Sequence, residues 1–395
     1  MIKRSYLPVI IKDIKKKMVF LAGPRQCGKT TISTLVAQEL GVPSSYYNWD
    51  TDTHRQQILQ SQLQASSQLY ILDELHKFPR WKNWLKGQYD EKHAEHSFLV
   101  TGSAKLDAYS RGGDSLQGRY YLHRIHPLSL SEILDLKPVY QFDFSSFDLI
   151  AEKNQQSGLE SLLNYGGFPE PFLSQDQIEC NRWRIAYSSR LVRDEIRDLE
   201  RVWDLSRMEL LYDRLKNTVG SVLSLNSLRE DLEVAFETVK NWVEIFEKLY
   251  AVFRLLPYGP PKIKAVKKEQ KLYFWDWSQV PASSARIENM VAMHLLRYVQ
   301  QKEDVLGEKW ELRYFRDKVG HEIDFILLKE GQPWCAIEVK SQEQDLDSNF
   351  KYLLQRTKIP FAFQLHFQGT KDWFYPQIND SKIRIMPMAN FLAHL

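Results

Sequence analysis

The order of apolar and polar positions divides the chain before any single residue stands out. Val19 to Ala22 is an apolar run short enough for a buried strand, and a helical pattern through Leu35, Val36 and Leu40 follows it. Gly41-Val42-Pro43 stops that helix. Tyr46 to Trp49, Gln68 to Leu72 and Ser97 to Val100 repeat the short apolar form, and each ends on polar groups: Asp50, the pair Asp73-Glu74, and Thr101-Gly102-Ser103. Apolar strands that alternate with helical stretches predict a parallel α/β sheet, with ligands bound at the carboxyl ends of its strands. From Asp135 to Asp176 the periodicity weakens into a loop and a short helical lid, and Trp183 to Arg201 reads as a charged connecting helix.

The second half has two further patterns. Between Met208 and Tyr258 three helical stretches precede a strand, and Gly259-Pro260-Pro261 turns the chain into Lys262, Lys264, Lys267, Lys268 and Lys271 before a strand at Leu272-Tyr273-Phe274. That is the order of a winged helix, in which a basic hairpin lies along phosphates. The third helix carries Glu237, Glu244 and Glu247, which oppose phosphate, so the hairpin lysines are the candidate DNA contacts and little base reading is expected. A solvated lysine-rich turn on a protein-contact domain is the competing reading. Beyond it, a helix carries Ile287, Val291 and Leu295 on one side, and strands are expected at Leu312–Phe315, 320–328 and 334–340. Alternation puts Glu338 and Lys340 on one face, near Asp324 of the neighbouring strand.

Composition narrows the class. A chain of 395 residues is too long for one core, so two or three domains are expected, bounded at 1–204, 205–275 and 276–395. No apolar run reaches the length of a membrane helix, and the first residues lack the pattern of a secretory signal, so a cytoplasmic protein without membrane contact is expected. Cys27, Cys180 and Cys335 have no paired spacing, which argues against a disulfide framework or a zinc site. The net charge of +3 is too small to establish a nucleic-acid partner by itself.

The chemistry is concentrated at Gly23-Pro24-Arg25-Gln26-Cys27-Gly28-Lys29-Thr30-Thr31, placed between strand and helix. The glycines let the backbone turn so that N–H groups point inward, and the positive end of the following helix faces a bound anion. Lys29 would reach the β and γ phosphates of ATP, and Thr30 would supply a hydroxyl to Mg2+. Asp73 takes the metal role on a strand expected to run beside the first, and Glu74 the role of general base. An acidic pair that merely caps the next helix is the alternative. Thr101 or Ser103 is placed to sense the γ phosphate, and Arg119 to stabilise charge as the bond breaks, on a neighbouring subunit of a homo-oligomer if it projects from the domain edge. Otherwise Arg119 is a surface arginine in a salt bridge.

These motifs together resemble a prokaryotic AAA-type P-loop ATPase family whose members carry a C-terminal domain of unknown function. The resemblance rests on Gly-Pro-Arg-Gln-x-Gly-Lys-Thr-Thr, Leu-Asp-Glu-Leu-His-Lys-Phe-Pro-Arg-Trp, Val-Thr-Gly-Ser-Ala, Gln-Gly-Arg, and 126–132, with 166–170 further on. It implies the same roles for Lys29, Thr30, Asp73, Glu74 and Arg119; His76 stands where the family pattern usually has glutamine. The C-terminal pattern, Asp324 followed by Glu338-x-Lys340 with Glu288 as a helical acid, resembles the restriction-endonuclease-like (PD-(D/E)XK) core, which implies a possible nuclease site. The expected fold is therefore α/β: a P-loop NTPase of AAA+ type with helices on both faces of its sheet, then a winged helix, then a restriction-endonuclease-like domain. The expected function is a Mg2+-dependent ATPase that remodels or moves along DNA. A nucleotide-gated nuclease and an ATP switch that binds a protein partner in a defence or toxin setting are the alternatives.

Overall fold

The computed structural model describes residues 2–102, 116–145, 155–195, 204–260 and 269–395. These form two compact units, Met1–Pro127 and Leu128–Leu395.

The first unit is built on five parallel strands: β1 (Met18–Ala22), β2 (Ser44–Asn48), β3 (Leu69–Asp73), β4 (Ser97–Thr101) and β5 (Tyr120–Arg124). Across the sheet the order is β2, β3, β4, β1, β5. β1 and β3 are buried along their whole length, as their unbroken apolar runs require when helices cover the sheet. Helices α1 (Leu7–Asp13), α2 (Lys29–Leu40), α3 (Asp52–Leu59) and α4 (Trp81–Lys92) flank it. α2 ends at Gly41, whose left-handed backbone lets its N–H reach the Ala37 carbonyl. One expectation fails here. β3, which carries Asp73, does not lie beside β1; β4 is inserted between them, paired with both. The strand at Ser97 shares the same apolar character, and sequence proximity gives no reason to place it centrally.

The second unit holds an eight-stranded mixed sheet in the order β12, β13, β11, β10, β9, β8, β6, β7. Its strands are β6 (Val252–Tyr258), β7 (Lys271–Phe274), β8 (Trp310–Arg316), β9 (Glu322–Lys329), β10 (Gln332–Gln342), β11 (Phe361–Gln368), β12 (Trp373–Ile378) and β13 (Ser381–Pro387). Phe350, Leu353 and Leu354 of the helix Ser348–Arg356 pack on Ile323, Ile326, Ala336 and Ile383 of the sheet. The long helix Ser283–Gln301 packs against β7, β8 and β10, with Ile287, Val291 and Leu295 buried as the sequence pattern predicts.

The expected three-part division does not appear as three compact units. The helices Leu205–Lys216, Leu225–Leu232 and Phe236–Lys248 precede the antiparallel pair β6 and β7. Yet β6 runs on to pair in parallel with β8, so the hairpin belongs to the large sheet and shares its core. The stretch expected to be loop and lid also contains the helices Gln155–Tyr165 and Pro169–Ser174. Gly166 has φ 82°, and a Cβ there would lie 3.0 Å from both Asp276 and Ser278. Phe168 beside it is fully buried against Trp183 and Tyr187, so the 166–170 motif serves packing. Among the described residues no helix is long and apolar enough to cross a membrane.

Candidate nucleotide site

The turn after β1 is shaped by what lies under it. Gly23 has φ 148°, and a Cβ there would stand 2.3 Å from the carbonyl oxygen of Ile125, so no larger residue fits without displacing backbone. Gly28, also left-handed at φ 97°, caps the N-terminus of α2. Cys27 is wholly buried, with its thiol against the carbonyl of Ile125. Arg4 supports the turn from beneath: its buried guanidinium donates to the carbonyls of Cys27, at 2.8 Å, and of His126. Arg4 was not anticipated. Position 4 is separated from its acceptors by stretches that no local spacing rule connects.

Lys29 is 6% exposed, and its ammonium donates to the carbonyls of Gly23 at 2.9 Å and Pro24 at 2.7 Å. Both partners are neutral, so the charge itself is not matched by a carboxylate in these bonds. The next residue, Thr30, turns its hydroxyl to Asp73 Oδ2 at 3.2 Å. Asp73 stands in register with Thr101 of β4 and Asn48 of β2, and the hydroxyls of Thr101 and Tyr46 both donate to its carboxylate. Tyr46, missed by sequence reading, has its phenol pushed up by burial and by the bonded Asp73 carboxylate.

Glu74 follows at the strand end with a left-handed backbone, φ 55°, and its N–H donates to the Thr101 carbonyl. Such a conformation costs a non-glycine residue free energy and persists only where surroundings hold it. Burial raises the carboxyl's pKa, while Lys29 and Lys77 oppose that shift. The Glu74 carboxylate lies 3.7 Å from His76 Nε2 and 3.8 Å from Lys77 Nζ, and Lys77 also bridges to Asp50 at 2.6 Å. His76 to Asn83 line a cavity of about 490 Å3 just beyond Glu74. From Leu75 to Tyr89 the chain has Lys77, Arg80, Lys82 and Lys86 and no acid, interleaved with Phe78, Trp81 and Trp84.

The oxygen donors Thr30 and Asp73, the glycine-bounded turn and the buried ammonium fit a nucleoside triphosphate with its magnesium ion. Arg119 departs from this group. It precedes β5, where its carbonyl accepts from the N–H of Met18 at the start of β1, so it sits at the opposite end of the parallel sheet from Gly23. Its guanidinium forms a two-pronged pair with Asp90, at 2.7 and 3.2 Å. Ser103 lies outside the described residues, as do Lys262, Lys264, Lys267 and Lys268.

In the second unit the sequence-predicted residues do converge. Asp324 and Glu338 are interlocked through the backbone: the Asp324 N–H donates to Glu338 Oε2 at 3.2 Å, and the Val339 N–H to Asp324 Oδ2 at 2.9 Å. Lys340 bonds Glu338 at 2.8 Å and Asp347 at 2.6 Å. Lys271, read from sequence as one of the basic-turn lysines, is instead buried at 1% exposure. Its ammonium faces Glu322 at 2.5 Å, Glu288 at 3.3 Å and Asp324 at 3.8 Å. Asn289 fixes this arrangement by pairing both ways with the Phe274 backbone, at 2.8 and 2.7 Å, which locks the helix bearing Glu288 to β7. Burial drives the Asp324 carboxyl well above its ordinary range, with Glu338 and Glu288 adding to the shift and Lys271 opposing it. Burial works to lower the Lys271 pKa, but the three carboxylates outweigh it and hold the ammonium charged.

Against known proteins, residues 15–134 match the family described as AAA domain. Residues 156–285 and 284–389 match two families described as domains of unknown function, DUF8612 and DUF4143. An uncharacterized protein of Methanocaldococcus jannaschii is 26% identical over 86% of this chain and 79% of its own length. One of Mycobacterium tuberculosis is 22% identical over 82% of this chain and 70% of its own. Among solved structures, the Thermotoga maritima RuvB Holliday junction branch migration motor aligns with TM-score 0.32 and 16% identity, over 64% of this chain and 90% of that one. The AAA match and the strand order with its flanking helices agree that the first unit has the P-loop NTPase fold.

Proposed function

We propose that this chain is a Mg2+-dependent ATP hydrolase whose turnover is coupled to DNA. The observation that carries the hydrolase reading is the meeting of Thr30, Asp73 and Thr101 beyond the turn, because a bare glycine-lysine loop would not require it. The bound ion would neutralise charge across the β and γ phosphates. Lys29 exchanges its two carbonyl partners for phosphate oxygens, and the N-terminal N–H groups of α2 face the same anion. Thr30 and Asp73 are the residues that would hold the ion, with Tyr46 and Thr101 orienting the Asp73 carboxylate. Glu74 orients the attacking water and takes its proton; burial, by raising proton affinity, suits it to that task. Arg119 cannot serve its own loop from the far end of the sheet. Its role, if catalytic, is exerted on a neighbouring chain in a homo-oligomer, after release from Asp90.

DNA as the partner is supported by the helix and hairpin order of 205–275, with the lysines between β6 and β7, and by the basic and aromatic stretch next to Glu74. Phosphate contacts by the lysines and stacking by Phe78 and Trp84 suit a load read without base specificity. The deciding experiment is ATP turnover of the full chain with and without single-stranded, duplex and branched DNA. Stimulation that fades as salt rises supports the reading. Unchanged turnover in Lys29→Ala overturns the hydrolase assignment, and DNA-independent turnover favours a switch that holds a protein partner. A nucleotide-gated nuclease draws support from the convergence of Glu288, Asp324, Glu338 and Lys340, but the ammonium of Lys271 among these acids weighs against it.

A further inference from the structure

The acids of the second unit have the composition of a divalent-ion site, and a restriction-endonuclease-like core would call for one there. Such an ion needs several carboxylate oxygens with lone pairs turned toward one point. Here each of these acids already turns oxygens toward protein donors or ammonium groups. Glu288 accepts from the Tyr273 hydroxyl at 2.7 Å and faces Lys271. Asp324 accepts a backbone N–H and faces Lys271; Glu338 accepts another backbone N–H and the Lys340 ammonium. Glu322, two residues before Asp324 on β9, pairs with Lys271 as well. Among the described residues, no three His, Cys, Asp or Glu side chains are disposed to hold a metal ion. The residues as arranged do not fit the metal.

We infer that Lys271 is the resident cation of this cluster, held where Glu288, Glu322 and Asp324 converge while Lys340 takes Glu338, so that the native chain keeps the site closed to Mg2+ and Mn2+. The ammonium is well suited to permanence. It is almost wholly buried, it is surrounded by three carboxylates, and its strand is tied by Asn289 to the helix that carries Glu288. A mobile lysine at the mouth of an open site would be solvent-facing and loosely paired. The cluster thus joins helix, hairpin and sheet by charge and does not activate water for phosphodiester cleavage.

The test is Mn2+ binding to the full chain without nucleotide, followed by the loss of the free-ion spin-resonance signal. Native protein and Asp324→Asn should bind the same amount of Mn2+. Lys271→Met should gain one ion per chain, at least tenfold tighter than any binding to this cluster in native protein, and the gain should vanish in Lys271→Met combined with Asp324→Asn. A native chain that binds Mn2+ and loses one ion on Asp324→Asn overturns the inference, as does a folded Lys271→Met chain that gains none. If Lys271→Met does not fold, the comparison of native protein with Asp324→Asn decides alone.

Discussion

Two buried lysines, one in each unit, show how partner chemistry separates a site that accepts a ligand from one that is already complete. Lys29 is held by two neutral carbonyls at the head of a glycine-bounded turn, while Lys271 is enclosed by Glu288, Glu322 and Asp324. Carbonyl dipoles stabilise an ammonium without cancelling its charge, so an incoming phosphate gains an attraction that the protein has left unspent. Carboxylates cancel it. A phosphate approaching Lys271 would meet net negative charge, and a metal would have to expel a lysine that has almost no route to solvent. Burial alone therefore predicts nothing about availability, because both residues are nearly inaccessible.

The contrast is broken most directly by removing each lysine. Lys29→Ala should lower ATP turnover by roughly 100-fold or more and move the urea midpoint less than Lys271→Met does, since it loses two bonds to neutral carbonyls and the charge interaction with Glu74, which Lys77 also faces. Glu74→Gln should produce a similar loss of turnover with nucleotide binding retained, measured by fluorescent nucleotide titration. Lys271→Met should do the reverse. It should destabilise the second unit by about 3–5 kcal/mol in urea denaturation, because it leaves carboxylates buried without their counter-ion, and leave ATP turnover close to native. Equal stability losses for the two variants would erase the distinction drawn here.

A pH titration sharpens the picture in the second unit. His294 accepts the Leu130 N–H at Nε2 while Nδ1 bonds the Met290 carbonyl, an arrangement that only the neutral ring satisfies, and burial lowers its pKa to about 4. Its folded pKa lies below the ordinary value, so the unfolded chain takes up a proton first as pH falls. Stability attributable to His294 is complete above about pH 7 and declines toward pH 4, by on the order of 2 kcal/mol at pH 5. A His294→Gln chain should show a correspondingly flatter pH profile of its urea midpoint. The smallest effect belongs to Arg119. Arg119→Ala breaks the partly exposed pair with Asp90, and the thermal midpoint should move little. A fall in turnover that appears only at concentrations where chains associate would support action across subunits.

Much of the nucleotide site is legible because its parts are contiguous or sit at strand ends. The turn from Gly23 to Thr31 is a local conformation, and Asp73 and Thr101 terminate apolar runs whose polarity changes abruptly. Arg4 and Tyr46 escaped notice because an arginine near the start of the chain and a tyrosine in a half-exposed strand carry no mark of what they touch. In the second unit, period-two alternation correctly put Glu338 and Lys340 on one face. Sequence order groups Lys271 with the basic hairpin lysines, as a DNA contact or part of a solvated turn, because four lysines shortly precede it.

By itself the amino-acid order determined the phosphate-binding turn, the acidic strand end and the helix periodicities, all of which depend on neighbours within a few residues along the chain. Only tertiary structure decided that β4 separates β1 from β3, that β6 and β7 extend the large sheet, and that Lys271 is enclosed by three acids from two other segments, a helix and β9. The physical reason is that strand order and charge pairing are settled by which long-range contacts bury the most apolar surface without leaving a charge uncompensated, and that competition is decided across the whole fold.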